Sequence, residues 1–110
     1  MAPLFLDPGV FNRRVALDQP VVAADGAGGG ETGWQEVREL SVRIEPLSVA
    51  SRERFDQREA TVTHRVLCRA NDAVDRGLSF RLGGRRLIIL SVHDPDESRR
   101  YLVCRCEEER

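Results

Sequence analysis

Two histidines are the side chains in this sequence best suited to acid–base catalysis, because histidine titrates near neutral pH. His93 directly precedes Asp94 and Pro95, and a histidine beside a carboxylate is typical of a general base. A general base also needs a nucleophile or a substrate pocket, and no segment of the sequence supplies either. His64 falls on the apolar face of an alternating segment, where a hydrogen-bonded structural histidine is the commoner case. The histidines therefore do not predict an enzyme.

The three cysteines could bind a metal only if the fold brought them together. Cys104 and Cys106 share one face of a strand, and Cys68 with a histidine could complete four ligands. Zinc knuckles place two residues between their cysteines within a turn, whereas this pair has one. Cysteines that alternate with Leu102 are more typical of a hydrophobic core. We therefore predict no metal and no cofactor, and a metal-dependent enzyme using His93 with Cys104 and Cys106 is the lesser alternative.

Three arginines around a glycine pair form a candidate binding site, the basic hairpin tip. Gly83 and Gly84 tolerate positive φ and suit a tight hairpin, which would carry Arg81, Arg85 and Arg86 at its end. Such a tip can contact a nucleic-acid backbone, or it can simply be solvated. The formal net charge of −1 counts against a general nucleic-acid binder.

The polar segment 48–59 is the second candidate site. About a dozen residues without a clear element are long for a domain of this size, and such loops are often functional. An aromatic residue flanked by arginine is also common at protein interfaces. The segment is predicted to be a long loop or a short exposed helix that carries an interaction, with a solvated mixed-charge face as the alternative. Its candidate interaction residues are Arg52, Glu53, Arg54, Phe55 and Arg58.

The composition limits the chain to one small domain. Its 110 residues are 41% apolar and 32% charged, which is enough for one hydrophobic core and too little for a second. All 17 basic side chains are arginine, which forms bidentate ion pairs better than lysine does. No apolar run reaches the roughly 18 residues of a membrane span, and the first residues lack the basic start of a signal peptide. We therefore expect a soluble chain made in the cytoplasm.

Alternation of apolar and polar residues is the main structural signal and predicts short β-strands. The alternating segments are Arg13–Leu17, Trp34–Leu47, Ala60–Arg69, Leu78–Leu82, Arg86–Val92 and Tyr101–Cys106. Leu87 to Leu90 are apolar on both faces, which predicts the most buried strand. Pro20 should limit the first strand or place it at an edge, because proline cannot donate to a ladder. Residues 23–33 are predicted to form a glycine-rich loop.

No helical period is visible, so the predicted fold class is all-β. A small antiparallel β-barrel or sandwich of about six strands fits the pattern, because closing a sheet removes its exposed edges. Residues 1–110 then form a single domain, with 1–10 as an N-terminal extension and 48–59 as the long loop or short helix.

The order of short motifs along the chain resembles that of the head–tail joining proteins of long-tailed phages, prophages and gene transfer agents (head-closure, stopper or adaptor proteins). The resemblance covers residues 11–108. Its motifs are Arg14-Val15, Gly28-Gly29, Trp34, Ile44-Glu45-Pro46-Leu47-Ser48, Arg52-Glu53, Thr63-His64-Arg65-Val66, Arg69, Gly84-Arg85, Leu90-Ser91-Val92, Asp94-Pro95-Asp96-Glu97, Leu102 and Glu107. The chain departs from the family in its longer leader, residues 1–10, and in three consecutive glycines before Trp34.

The resemblance implies a structural virion protein, not an enzyme, at the head–tail junction of a particle assembled in the bacterial cytoplasm. Such a barrel forms a ring beneath the portal and adaptor, closes the DNA channel and offers the surface on which the tail docks. The implied partners are copies of itself, portal or adaptor proteins, tail proteins and DNA in the channel, with no membrane. A near-neutral surface dense in both charge signs suits the heterologous interfaces of a ring. The alternatives are a small nucleic-acid-binding barrel, or another connector component such as a tail terminator or adaptor.

Overall fold

The structure, a computed structural model, describes residues 8–24, 30–48 and 61–109, most of which lie in β-strands. A short 3-10 helix, Pro8–Val10, precedes the strands. The strands are β1 (Arg13–Ala24), β2 (Gly30–Pro46), β3 (His64–Arg69), β4 (Ser79–Leu82), β5 (Arg85–His93) and β6 (Tyr101–Glu108). Every pair is antiparallel, and the order β1-β2-β3-β6-β5-β4 closes into a barrel. The predicted all-β fold of about six strands is confirmed.

The barrel closes through a short contact between β1 and β4. Only Ala16, Leu17 and Asp18 of β1 pair with β4, whereas β1 pairs with β2 along its whole length. Beyond Asp18, β1 and β2 continue as a two-stranded ribbon, residues 19–24 and 30–36, which we call the arm. Pro20 lies in the arm opposite Trp34, where β1 has no strand on its other side among the described residues. The expectation that Pro20 marks an edge is therefore confirmed.

The predicted boundaries of the glycine-rich loop are wrong at both ends. β1 extends to Ala24 and β2 begins at Gly30, with Ala23 paired to Glu31 and Ala24 to Gly30. Alanine and glycine lower strand propensity but keep their backbone donors and acceptors, so the ladder of a hairpin can continue through them. Residues 25–29 lie outside the described part of the chain.

Every second residue of a strand points into the barrel, and these side chains form most of its core. The three cysteines are completely buried in it, as predicted. The buried core residues are Val15, Leu17, Val42, Val66, Cys68, Val74, Phe80, Leu87, Ile89, Cys104 and Cys106. A smaller apolar cluster lies outside the barrel, where Phe11 packs on Leu67 and Val103 and stacks on Tyr101 with ring centroids 5.9 Å apart. The segment before β1 is therefore held against β3 and β6.

The prediction that the strand with Leu87–Leu90 is the most buried one is wrong, because a larger share of β3 is buried. Leu87 and Ile89 point into the core and are 1% exposed, whereas Leu90 is 36% exposed. The register of β5 and β6 shifts between Ile89 and Ser91, so Leu90 is an unpaired bulge residue. A single-layered barrel has one apolar face, and its outer face meets solvent, which is why continuous apolar sequence here does not mean burial on both sides.

Candidate interaction site at one end of the barrel

The fold brings the base of the 48–59 segment beside the basic hairpin tip. Pro46 at the end of β2 pairs with His64 at the start of β3, so the connection between them leaves and returns at one end of the barrel. The Leu47 N–H donates to the Thr63 carbonyl over 2.9 Å and closes its base. Arg85 follows the Gly83–Gly84 hairpin, and its Nη2 lies 3.4 Å from His64 Nε2. The predicted interaction residues lie outside the described residues, so their role stays a prediction: Arg52, Glu53, Arg54, Phe55 and Arg58.

Four polar side chains at this base form what we call the loop-base cluster: Thr63, His64, Arg85 and Glu108. Arg85 holds Glu108 in a bidentate ion pair, with Nε–Oε2 at 2.9 Å and Nη2–Oε1 at 3.0 Å. The Glu108 N–H donates to Thr63 Oγ1 over 2.7 Å, and Thr63 N–H donates to the Cys106 carbonyl over 2.8 Å. These bonds tie the ends of β3 and β6 to the hairpin, so the connection between β2 and β3 starts from a fixed base.

His64 is the buried member of the loop-base cluster, with 9% of its surface exposed. Burial lowers the pKa of its imidazole, and the positive charge of Arg85 lowers it further against the opposing effect of Glu108. The neutral ring therefore dominates at pH 7. Its Nδ1 lies 2.8 Å from Thr63 Oγ1, whose hydroxyl is 3.4 Å from the Cys106 carbonyl. A proton on Nδ1 satisfies this chain and leaves Nε2 to accept from Arg85.

A second ionic group, the arm-root cluster, lies on the outer face of β1, β4 and β5. Its centre is Asp18, whose carboxylate accepts from Arg81 Nε at 2.8 Å and from Arg86 Nη1 at 2.9 Å. Arg86 Nη1 also donates to Ser79 Oγ over 2.6 Å. The Arg86 guanidinium lies over the Trp34 ring, 4.4 Å from its centroid, in a cation–π contact. Since Trp34 belongs to the arm, the cluster fixes the arm against the barrel.

Asp18 remains ionised although it is 2% exposed. Burial by itself would raise the pKa of its carboxyl, but the hydrogen bonds and charges of Arg81 and Arg86 outweigh burial and hold the pKa below its ordinary value. Arg81 makes a further ion pair with Glu36 of β2, with Nη2–Oε1 at 2.9 Å. Asp18 therefore holds two guanidinium groups at the base of the arm, and Arg81 links it to Glu36 of β2.

The three arginines of the basic hairpin tip do not form one patch. Arg85 faces the loop-base cluster, whereas Arg81 and Arg86 face the arm-root cluster on the outer surface. Successive strand residues point to opposite faces, which separates Arg85 from Arg86. Four carboxylates neutralise these guanidinium groups: Asp18, Glu36, Glu108 and Glu109.

His93 ends β5 and is exposed. The neighbouring Asp94 carboxylate is used by its own turn, because it accepts from the backbone N–H of Asp96 at 3.3 Å and of Arg99 at 2.6 Å. Glu97 and Arg99 adopt φ values of 57° and 64°, so this turn is tight and held by its own hydrogen bonds. The arrangement around His93 is that of a structured turn.

The cysteines are free thiols in the core. Burial raises the pKa of Cys106 to about 12, and a hydrogen bond with Cys68 together with burial raises the pKa of Cys104. Both are therefore protonated at neutral pH, which is the form that binds metals poorly. Within residues 8–24, 30–48 and 61–109, no group of three or more His, Cys, Asp or Glu side chains is arranged to hold a metal ion.

Sequence reasoning missed the carboxylates that neutralise the arginines. One signal pointed to Asp18: aspartate is rare inside strands, and it directly follows Leu17 in an alternating segment. Its arginine partners are 63 and 68 residues further along the chain, so spacing alone could not find them. Trp34 was visible as a motif residue, but its contact with Arg86 depends on the strand order.

Comparison with known proteins identifies the family. A family model described as phage head completion protein matches residues 6–109, which is nearly the whole chain. A search of curated proteins found no match. None of the helices in the described part of the chain has the length and apolar character needed to cross a membrane.

Two solved structures resemble the chain along most of its length. One belongs to the virion of a native gene transfer agent particle, with 29% identity, a TM-score of 0.64, and coverage of 89% of this chain and 94% of that one. The other is the solution structure of protein SF1141 from Shigella flexneri 2a, with 20% identity, a TM-score of 0.74, and coverage of 94% and 96%, which shows the shared fold. The chain belongs to the phage head completion protein family, a family of structural virion proteins and not of enzymes.

Proposed function

We propose that this chain forms a ring in the head–tail connector that closes the DNA channel and provides the surface on which the tail docks. The observation that carries the proposal is the family match over residues 6–109. A chain of the gene transfer agent virion, 29% identical over 89% of this chain, supports the same setting. Portal or adaptor proteins would lie above the ring and tail proteins below it.

The geometry suits a connector protein that must stay rigid. The strands pair into a closed barrel, and the loop-base cluster fixes both ends of the connection between β2 and β3. In a ring, the same connection from every copy would lie at the same end of the barrels. A weak contact made by each loop would then be multiplied by the number of copies, which is how a ring could close a channel.

The arginines of the hairpin support a structural role better than DNA binding. Each guanidinium group has a carboxylate partner within 2.9 Å, so its positive charge is already neutralised and a phosphate would have to compete with that partner. This argues against the nucleic-acid-binding barrel as the function. If the hairpin does bind DNA, affinity should fall steeply with salt and should depend on Arg85.

Deletion of the gene tests the proposal directly. Electron microscopy of lysates should show tailless heads beside free, complete tails, and complementation with the unmodified gene should restore joined particles. Many empty heads among them would favour the stopper role, because packaged DNA has leaked. Normal tailed particles in the deletion strain would overturn the connector assignment.

Removal of residues 51–57 tests the predicted interaction loop. The barrel should still fold, because the base of the loop is closed by the bond from Leu47 to Thr63 and by the pairing of Pro46 with His64. Head closure or tail joining should be impaired. Replacement of residues 51–57 by a Gly-Ser segment of equal length is the matched control that separates loop length from side-chain chemistry. Wild-type yields of infectious or transducing particles from both variants would exclude a role for this loop.

A further inference from the structure

β2 has an open edge next to the barrel. It pairs with β3 only from Val42 to Pro46, so from Ser41 back to Val37 its second edge has no strand beside it in the described part of the chain. Unpaired backbone groups along a strand are a template for the addition of another strand. This stretch therefore offers a docking position in line with β3.

A groove runs along this open edge. One cavity of about 420 Å³ is lined by Pro8, Phe11 and Leu40, among others, and an adjoining one of about 540 Å³ extends along Val37. The two cavities meet at Ala70 and Asn71, just after the end of β3. We call them together the edge groove.

Val37 gives the edge groove an apolar contact point. It is 41% exposed, and it is a bulge residue, because Leu17 pairs with Arg38 while the next β1 residue, Asp18, pairs with Glu36. A bulge changes the direction of a side chain and often marks a binding position. An exposed valine on an unpaired strand edge is a surface that soluble proteins usually protect or use.

The N-terminal residues 1–7 are a suitable occupant. They lead directly into Pro8, which lines the edge groove, and they contain the apolar run Leu4-Phe5-Leu6. The family match begins at residue 6, so the first five residues of this segment lie outside the matched range. At about 3.3 Å per residue, seven residues reach about 23 Å, which exceeds the roughly 16 Å that the five edge positions from Val37 to Ser41 span. The segment is long enough to fill the groove.

We propose that the edge groove of one copy binds the N-terminal segment of a neighbouring copy as an added strand; this rests on the ring of the proposed function. Groove and segment are different surfaces of one chain, as a heterologous ring interface requires. Arg38, which lines the groove and makes no ion pair among the described residues, can pair with Asp7 of the incoming segment.

Two matched substitutions test the groove in the full-length chain. Val37→Arg places a charge at the docking position, whereas Val22→Arg places the same charge at a valine on the arm that is 72% exposed. Val37→Arg should weaken each interface about tenfold and lower the yield of joined particles at least as much, while Val22→Arg should match the wild type. Equal yields from both variants would overturn the groove proposal.

Photo-crosslinking identifies the occupant without relying on particle yield. With p-benzoylphenylalanine in place of Phe5, particles assembled from a mixture of isotope-labelled and unlabelled chains should give inter-chain crosslinks to residues 37–41 or 70–73. Crosslinks within one chain, crosslinks to another virion protein, or none at all would overturn the proposal. The gene deletion separates the two ideas: if wild-type complementation restores particles but these crosslinks are missing, only the groove proposal fails.

Discussion

Replacement of Asp18 by asparagine should destabilise the barrel by about 2–3 kcal/mol at pH 7. The variant keeps the shape of the side chain and removes the charge that accepts from Arg81 and Arg86. Loss of one partner of a fully buried ion pair costs about 3–5 kcal/mol. The cost here is smaller because Arg81 is 41% exposed and keeps Glu36, while Arg86 keeps Ser79 and the Trp34 ring.

Denaturant unfolding followed by tryptophan fluorescence measures this loss, since Trp34 is the sole tryptophan and contacts Arg86. In a separate thermal melt, the melting temperature of Asp18→Asn should lie about 10 °C below that of the wild type. The pKa of the Asp18 carboxyl is lowered in the folded protein, so its contribution is present above the unfolded value of 3.8 and is lost as the pH falls below it. Wild type and variant should therefore converge in acid. The control Asp72→Asn, at an exposed position, should change stability by less than about 0.5 kcal/mol. An Asp18→Asn variant as stable as that control would refute the reasoning.

Two further predictions concern the ends of the strands. Because the pKa of His64 is lowered in the folded protein, the unfolded chain binds a proton more readily, and stability should fall as the pH drops through the unfolded value of 6.5. His64→Gln should remove this part of the pH dependence between pH 7 and 5.5 in thermal melts, and an unchanged profile would contradict the burial of a neutral imidazole. Gly83 has a φ of 58°, so Gly83→Ala should cost about 1 kcal/mol through backbone strain alone, since an added Cβ meets no atom within 4 Å. Gly83→Asn should recover part of the loss, and a Gly83→Ala variant of wild-type stability would show that the hairpin does not require this conformation.

Much of the fold follows from local pattern. Val62, His64, Val66 and Cys68 alternate in sequence and all four are buried, because the period of a strand fixes which side chains share a face. The Gly83–Gly84 hairpin was equally readable from its two residues. The arm does not follow from local pattern, since the composition of residues 23–33 predicts a loop, whereas β1 and β2 stay paired as far as Ala24 and Gly30. The exposure of Leu90 does not follow from the sequence, because no local pattern distinguishes a barrel with one buried face from a sheet covered on both faces.

Less of the candidate site follows from sequence. Arg81, Arg85 and Arg86 are close to the hairpin in sequence, but their division between two ionic clusters depends on which carboxylates the strand order brings to them. Asp18 reaches Arg86 only because β1 closes the barrel against β4. Which distant charges pair depends on the strand order, so the distances between these charged groups cannot be obtained from the sequence alone.

The short contact between β1 and β4 has a mechanical consequence. Three residue pairs close the barrel there, whereas β1 and β2 share twelve pairs, six of them in the arm. A pull on the arm would reach this seam first at Asp18 and would peel its hydrogen bonds apart one after another. The ion pairs of Asp18 with Arg81 and Arg86 lie at the point where peeling would begin. They would hold the end of this short contact together, so the force needed to separate β1 from β4 would depend on the carboxylate of Asp18.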